Sequence, residues 1–286
     1  MDDPADTVAS IRLRVDLAYD GAPFAGFARQ PDQVTVQGTL EAAAARILGQ
    51  QIDTTCAGRT DRGVHALAQV VHFDLDPTVP RAIRALGTVG RGGRLGDLGV
   101  FRDRLDRLVG PEIAIWAARQ VSADFDARFS AQRRSYRYRV SDAPALAPLA
   151  RHDCWHVRDP LTVPAMRAAV KHLLGEHDFA AFCKRAPGRT TVRRLDRLAI
   201  RRDGAGTIHF TLEGNAFCHN QVRSLVGSLV EVGRGRQEPD WIGAVLAGRD
   251  RQRAGPVAPP QGLTLEGVGY GRRWPAAPPS RLQLPV

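Results

Sequence analysis

The sequence predicts an α+β fold with a mostly antiparallel sheet, and three observations predict it. Strand-like segments outnumber the helices that could cross between them. Two stretches of the chain run through a similar order of elements, which suggests a repeat of architecture. A Pro- and Ala-rich segment, APALAPLARHD, separates those stretches as a linker would.

Residues 11–19, IRLRVDLAY, alternate apolar and charged side chains, as a strand with one wet face does. The Gly/Pro-rich DGAPFAGFARQP follows as a loop, with Phe24 and Phe27 expected at its surface. TVQGTLEAAAARILGQ then opens on a capping Thr and continues as an amphipathic helix with Leu40, Ala44 and Ile47 on one face. After the GRTDRG turn, AQVVHFDL (68–75) is a strand. Residues 87–107 are rich in Gly and Arg and poor in core residues, so they predict a solvent-facing loop. Their glycines do not fit GxGxxG, and GxxxxGK[ST] is missing throughout, so no nucleotide cradle is expected. EIAIWAARQV and RRSYRYRVSD are strands.

Beyond the linker the pattern restarts, with a helix at 162–174, strands at 195–202 and 207–214, and a helix at 219–233. HDFAAF in this stretch echoes APFAGF in the first. The expected division is an N-terminal half at 10–143, a C-terminal half at 149–271 and a Pro-rich tail at 272–286.

At 286 residues, 43% hydrophobic and 24% charged, the chain has the composition of a soluble globular protein. No run of eighteen apolar residues occurs and the N-terminus lacks a signal-peptide pattern, so a cytoplasmic protein is expected. Cys56, Cys154, Cys183 and Cys218 stand far apart without a CxxC, which predicts buried thiols rather than a zinc site or disulfides. The net charge is +10 and the pI near 10.4, with Lys171 and Lys184 the only lysines. Nucleic acid is the polyanion such a chain would meet, and Arg suits it by forked phosphate contacts and by stacking on bases.

Three segments carry candidate chemistry. In GRTDRGVHA, Asp61 is either a turn-holding carboxylate beside a positive-φ Gly63 or a nucleophile rimmed by Arg59 and Arg62. His65 and His72 are seven residues apart in strand-like sequence and do not match HExxH, so no metal site is expected there. FDARFSAQRRSYRYRV sets Arg128, Arg133, Arg134, Arg137 and Arg139 around Tyr136 and Tyr138, which suits either an RNA platform or an ordinary exposed strand. Arg223 stands among Val222, Leu225, Val226 and Leu229, where it either pairs with a carboxylate or snorkels to water.

Together YDGAPFAGFARQP, VQGTLEAAAARI, AGRTDRGVHALAQVVHF, DFDARFSAQRRSYRYRV, GEHDFAAFC, NAFCHNQVRSLVGSLVEVGRG and APPQGLTLEGVGY resemble, in this order, the bacterial tRNA pseudouridine synthase A family. The resemblance runs from Ile11 to about Tyr270. It implies two ferredoxin-like halves joined into a central sheet with a basic cleft, a homodimer, and uridines 38, 39 and 40 of the tRNA anticodon arm as substrate. It also implies Asp61 as nucleophile, Tyr136 as the base-contacting residue and Arg223 as the carboxylate's partner. Arg59, Arg62, Arg128 and Arg134 would help hold RNA. Moving a glycosidic bond from N1 to C5 involves no redox change and no phosphoryl transfer, so no cofactor or metal is expected. The chain departs from the family at Arg62, where a small residue is common, and at Phe27, where Trp is usual. A third departure is 87–107, which replaces a short Asn-containing turn and puts Asp106 near that Asn.

Overall fold

A computed structural model describes residues 10–87, 94–184, 188 and 190–271, and these fall into two units. The first holds the described residues up to Thr60 together with Ala66–Ala131. The second holds Asp61–His65 and the described residues from Gln132 onward.

In the first unit β1 (Ile11–Tyr19) buries Ile11, Leu13, Val15 and Leu17 and turns the intervening residues outward. Thr35 caps α1 (Val36–Leu48) by accepting a hydrogen bond from Gly38 N. Leu40, Ala44 and Ile47 lie on the buried face of that helix, as its periodicity predicts. Buried Glu41 is tolerated because it accepts from Thr54 N (2.8 Å), Thr54 Oγ1 (3.0 Å) and Gln37 Nε2 (2.8 Å). Then come β2 (Thr55–Cys56), β3 (His65–Leu75), α2 (Pro80–Leu86), α3 (Gly99–Val109) and β4 (Ile113–Val121). Val71 and His72 of β3 pair with β1 and also with β2, which puts those two strands on opposite edges of β3. The antiparallel order β4-β1-β3-β2 is that of a ferredoxin-like sheet.

Two expectations fail in this unit. Phe24 and Phe27 are buried, Phe27 with its ring 6.3 Å from Tyr19 and its N–H on the Thr60 carbonyl (3.0 Å). Residues 99–107 belong to α3 rather than to a loop, because Phe101, Leu105 and Val109 recur every four residues and bury against the unit. Asp106 ties this helix to β4 by accepting from Ile115 N at 2.8 Å. Residues 88–93 of the expected loop, and the tail 272–286, lie outside the described residues.

The second unit opens with β5 (Arg133–Ser141), β6 (Trp155–His156), α4 (Val163–Val170) and β7 (Gly175–Asp178). It continues with β8 (Val192–Arg202), β9 (Ile208–Gly214), α5 (Gln221–Gly233), α6 (Trp241–Gly248) and β10 (Leu263–Gly269). The strand order is β10-β5-β9-β8-β7, with β6 running parallel beside β5. With β5, β8, β9 and β10 as its four principal strands, this is the ferredoxin-like order again, so the repeated element order reflects a repeated architecture. The unit starts at Gln132, with β5 zipped between β9 and β10. Among the described residues no helix is long and apolar enough to cross a membrane.

Asp142, just past β5, fastens this sheet to the start of α4. Its carboxylate takes Arg202 Nη1 (2.5 Å) and Nη2 (2.8 Å) and also accepts from Leu161 N (2.8 Å). The Arg202 hydrogen bonds hold the Asp142 carboxyl below its ordinary value of 3.8. A depressed folded-state value stabilises the fold above about pH 4, and the gain is lost as pH falls through the folded value. Asp142→Asn is therefore expected to cost about 1–2 kcal/mol at neutral pH and progressively less towards pH 3. Urea midpoints measured across that range check it, and a cost independent of pH would refute it.

Candidate active site

The GRTDRG turn is fixed before it reaches Asp61. Thr60 is buried, its hydroxyl bonded to Tyr19 Oη at 2.8 Å, and Gln69 Nε2 donates to the Gly58 carbonyl at 2.7 Å. Val64 N then donates to the Asp61 carbonyl (3.1 Å), closing a β-turn with Gly63 at φ +76°. A side chain at Gly63 would be strained by that φ, and its Cβ would come within 3.1 Å of Pro260. The turn therefore presents the Asp61 side chain in a fixed direction.

Arg223 and His219 receive that carboxylate. Arg223 Nη1 lies 3.2 Å from Asp61 Oδ2, and His219 Nε2 lies 3.3 Å from Oδ1. Arg223 is itself anchored, with Nε donating to the Ala258 carbonyl (2.7 Å) and Nη1 to Asn220 Oδ1 (3.2 Å). Both basic residues stand at the N-terminal end of α5, whose first turn holds no acidic side chain. A cation is unfavourable at the positive end of a helix, so Arg223 calls for an anion there, and Asp61 provides it. Arg223 thus pairs with a carboxylate rather than snorkelling.

Gly227, one turn after Arg223, allows the segment carrying Ala258 to pass close to α5. A Cβ there would lie 1.8 Å from the Pro256 carbonyl oxygen. The close approach lets Ala258 N donate to the Arg223 carbonyl (3.1 Å) while Arg223 Nε returns to Ala258 O. Gly227→Ala is expected to cost about 3 kcal/mol and to lower turnover together with stability, as overpacking displaces the anchor of Arg223. Thermal melting and kinetics on the same preparation check it; an unchanged melting temperature would refute it.

Tyr136 lies in the middle of β5, opposite Leu212 and Leu265, and is mostly buried. Its ring meets Phe217 edge-on at 5.2 Å. Phe217 is two residues from His219, so one short loop touches both Tyr136 and the Asp61 carboxylate.

The expected RNA contacts differ among themselves. Arg62 is exposed next to Asp61. Arg134 is buried and donates to the Asn215 carbonyl (2.7 Å), which ties it into the sheet rather than leaving it open to phosphate. Arg59 and Arg128 are exposed in the first unit, and both act on Cys56. Burial pushes that thiol up to about 11 against the pull of the two guanidinium groups. Beside Arg128, whose guanidinium lies 5.4 Å from its ring, Phe129 is 81% exposed. Phe217 and His219 are surroundings that sequence reasoning missed. A His preceding a helix that begins without an acidic residue was the available signal for the last of them.

His65 and His72 are engaged separately. His65 Nε2 donates to the His152 carbonyl (2.8 Å), and His72 Nδ1 accepts from Ala127 N (2.9 Å). Burial holds the His72 imidazole below its ordinary value. Among the described residues no group of three His, Cys, Asp or Glu is placed to hold a metal ion. Cys56, Cys154 and Cys183 are buried free thiols, and Cys218 is half-buried.

A family model described as tRNA pseudouridine synthase matches residues 17–91 and 169–271. A tRNA pseudouridine synthase A of Frankia casuarinae is 49% identical over 91% of this chain and 89% of its own length. Proteins of the same name from Myxococcus xanthus and Leifsonia xyli are 40% and 44% identical. They cover 94% and 92% of this chain, and 95% and 93% of their own.

Proposed function

The chain belongs to the tRNA pseudouridine synthase family, and on that premise we propose that Asp61 is the carboxylate that reacts with uridines 38, 39 and 40 of the tRNA anticodon arm. The enzyme is an isomerase that converts uridine in tRNA to pseudouridine. Its reaction breaks the bond between N1 and C1′, turns the freed uracil, and joins C5 to C1′. The C5 proton leaves and N1 ends protonated, so substrate and product have the same atoms.

One observation carries the assignment: a carboxylate on a constrained turn, gripped at both oxygens by Arg223 and His219. A turn-holding Asp would spend its oxygens on nearby backbone N–H groups instead. The target nucleotide must leave its stack to reach such a group, and a protein pays less unstacking energy in a loop than in a stem. Tyr136, braced edge-on by Phe217, supplies the aromatic contact to the extruded base. Arg62 and Arg59, which flank Asp61 in the chain and are exposed, supply phosphate contacts, as does Arg128. Arg134 takes a supporting part, holding the loop after β9 through Asn215. As in the family it resembles, the enzyme is expected to work as a homodimer in the cytoplasm, where its tRNA substrate resides.

Incubation with unmodified tRNA followed by position-resolved pseudouridine mapping tests the reading. Product at 38, 39 and 40 is the expected result. Product only at other positions would overturn the site preference, and no product on any tRNA would overturn the activity. Light scattering of the purified chain separates dimer from monomer.

A further inference from the structure

In the first unit α1 packs against α2 and α3, and α2 against α3. Where they meet lies an open groove of about 660 Å³. Arg46, Arg81, Arg84, Arg104 and Arg107 line it over a floor of three apolar side chains, and no acidic residue contributes to its wall.

Several of this chain's guanidinium groups are neutralised in pairs: Arg12 with Asp74, Arg14 and Arg119 with Asp16, Arg202 with Asp142, Arg234 with Glu231. Among the described residues, Arg46, Arg84, Arg104 and Arg107 have no such partner. Arg81 donates to the Arg46 carbonyl (2.6 Å) and lays its stem against Gly49, so its head is held in place.

Helix dipoles account for part of this arrangement, since Arg46, Arg84 and Arg107 stand in the last turns of their helices. Arg81 likewise serves the C-terminal end of α1 through the Arg46 carbonyl, but no dipole accounts for Arg104, in the middle of α3. Arg81 and Arg84 are three apart on one helix, as are Arg104 and Arg107, and like charges at that spacing repel. Five mutually repelling forks over one groove are relieved by a polyanion. Their planar, bidentate geometry matches phosphate oxygens.

We propose that this groove is a second RNA-binding surface, holding the sugar-phosphate backbone of the tRNA substrate away from the reacting uridine. The proposal rests on the reading that tRNA is the substrate. It adds a binding site that shares no residue with the Asp61 constellation. Contacts of this kind position the RNA and carry no sequence information, so the groove serves affinity and placement and leaves the choice of uridine to the reacting site.

The test is an Arg84→Gln/Arg104→Gln/Arg107→Gln variant, with an Arg84→Gln/Arg107→Gln variant beside it in case the triple change impairs folding. All three side chains are exposed, and thermal melting verifies that each variant is folded. Filter binding of full-length tRNA across a salt series reads the contact directly. Each neutralised phosphate contact lowers the slope of log affinity against log salt by about 1. The expected result for the triple variant is a slope lower by about 2–3 and tRNA affinity weaker by about tenfold or more at moderate salt. KM for full-length tRNA should rise with kcat unchanged, and an isolated anticodon stem-loop should be converted as by wild type.

An unchanged slope and affinity for folded variants would overturn the proposal. So would a groove that takes a small phosphate compound instead: ATP or tripolyphosphate would then raise the melting temperature of wild type but not of the variant, with the tRNA slope unaltered. Either outcome is distinct from failure of the proposed function, in which wild type itself forms no pseudouridine.

Discussion

Asp61→Asn is expected to reduce pseudouridine formation by at least about 10⁴-fold, the scale on which an enzyme fails when its reacting group is removed. The amide keeps the shape of the carboxylate and can still accept a hydrogen bond from Arg223, so the turn should hold. Tightness of tRNA binding should change no more than several-fold, because phosphate contacts from many arginines dominate it and one carboxylate contributes little. Single-turnover assays with saturating enzyme separate these two quantities. Activity within tenfold of wild type would remove Asp61 from the chemistry and return it to the role of a turn residue.

That two-sided expectation follows from how the site is built. Asp61 belongs to a segment of five residues, Asp61–His65, that groups with the second unit, while the residues on either side group with the first. Nothing local dictates this. It arises because Asp61 meets Arg223 and His219, Gly63 lies against Pro260, and His65 bonds to the His152 carbonyl. A reading by periodicity assigns a turn to its neighbours in the chain, so this grouping is not visible in the sequence.

Other features were legible to different degrees, for identifiable reasons. An arginine in an apolar helix demands a partner, so the existence of a carboxylate near Arg223 could be argued from one segment. The burial of Arg134 is legible in its strand parity with Tyr136 and Tyr138, whose buried face it shares. The helix α3 is hard to see in the sequence because its buried positions are only Phe101, Leu105 and Val109, beside exposed Val100 and Leu108, within an Arg- and Gly-rich stretch. The strand β10 escaped because its register shifts between Leu265 and Gly267, which breaks the alternation that marks a strand. The groove on the first unit was invisible for a related reason. Its arginines come from three helices, two of which sequence periodicity does not predict.

Arg223→Ala is expected to lower kcat by about 10² to 10³, the effect of deleting one preorganised charge at a reacting centre, with KM for tRNA nearly unchanged. Without Arg223, Asp61 keeps only His219, whose side chain is 51% exposed and so gives a weaker hold on its position. The comparison with Arg223→Lys is more informative than the loss itself. Arg223 uses Nε for the Ala258 carbonyl and Nη1 for Asp61 and Asn220, a division of labour that the rigid guanidinium allows. A single ammonium restores the charge but not the fork, so it can reach Asp61 only by giving up much of its anchor. Arg223→Lys should therefore recover stability more fully than turnover, with kcat still below wild type by about tenfold or more. If Arg223→Lys matched wild type in kcat, charge alone would suffice and the anchoring to Ala258 would be incidental. If Arg223→Ala did so, the ion pair would be structural and the reacting carboxylate would have to be sought elsewhere.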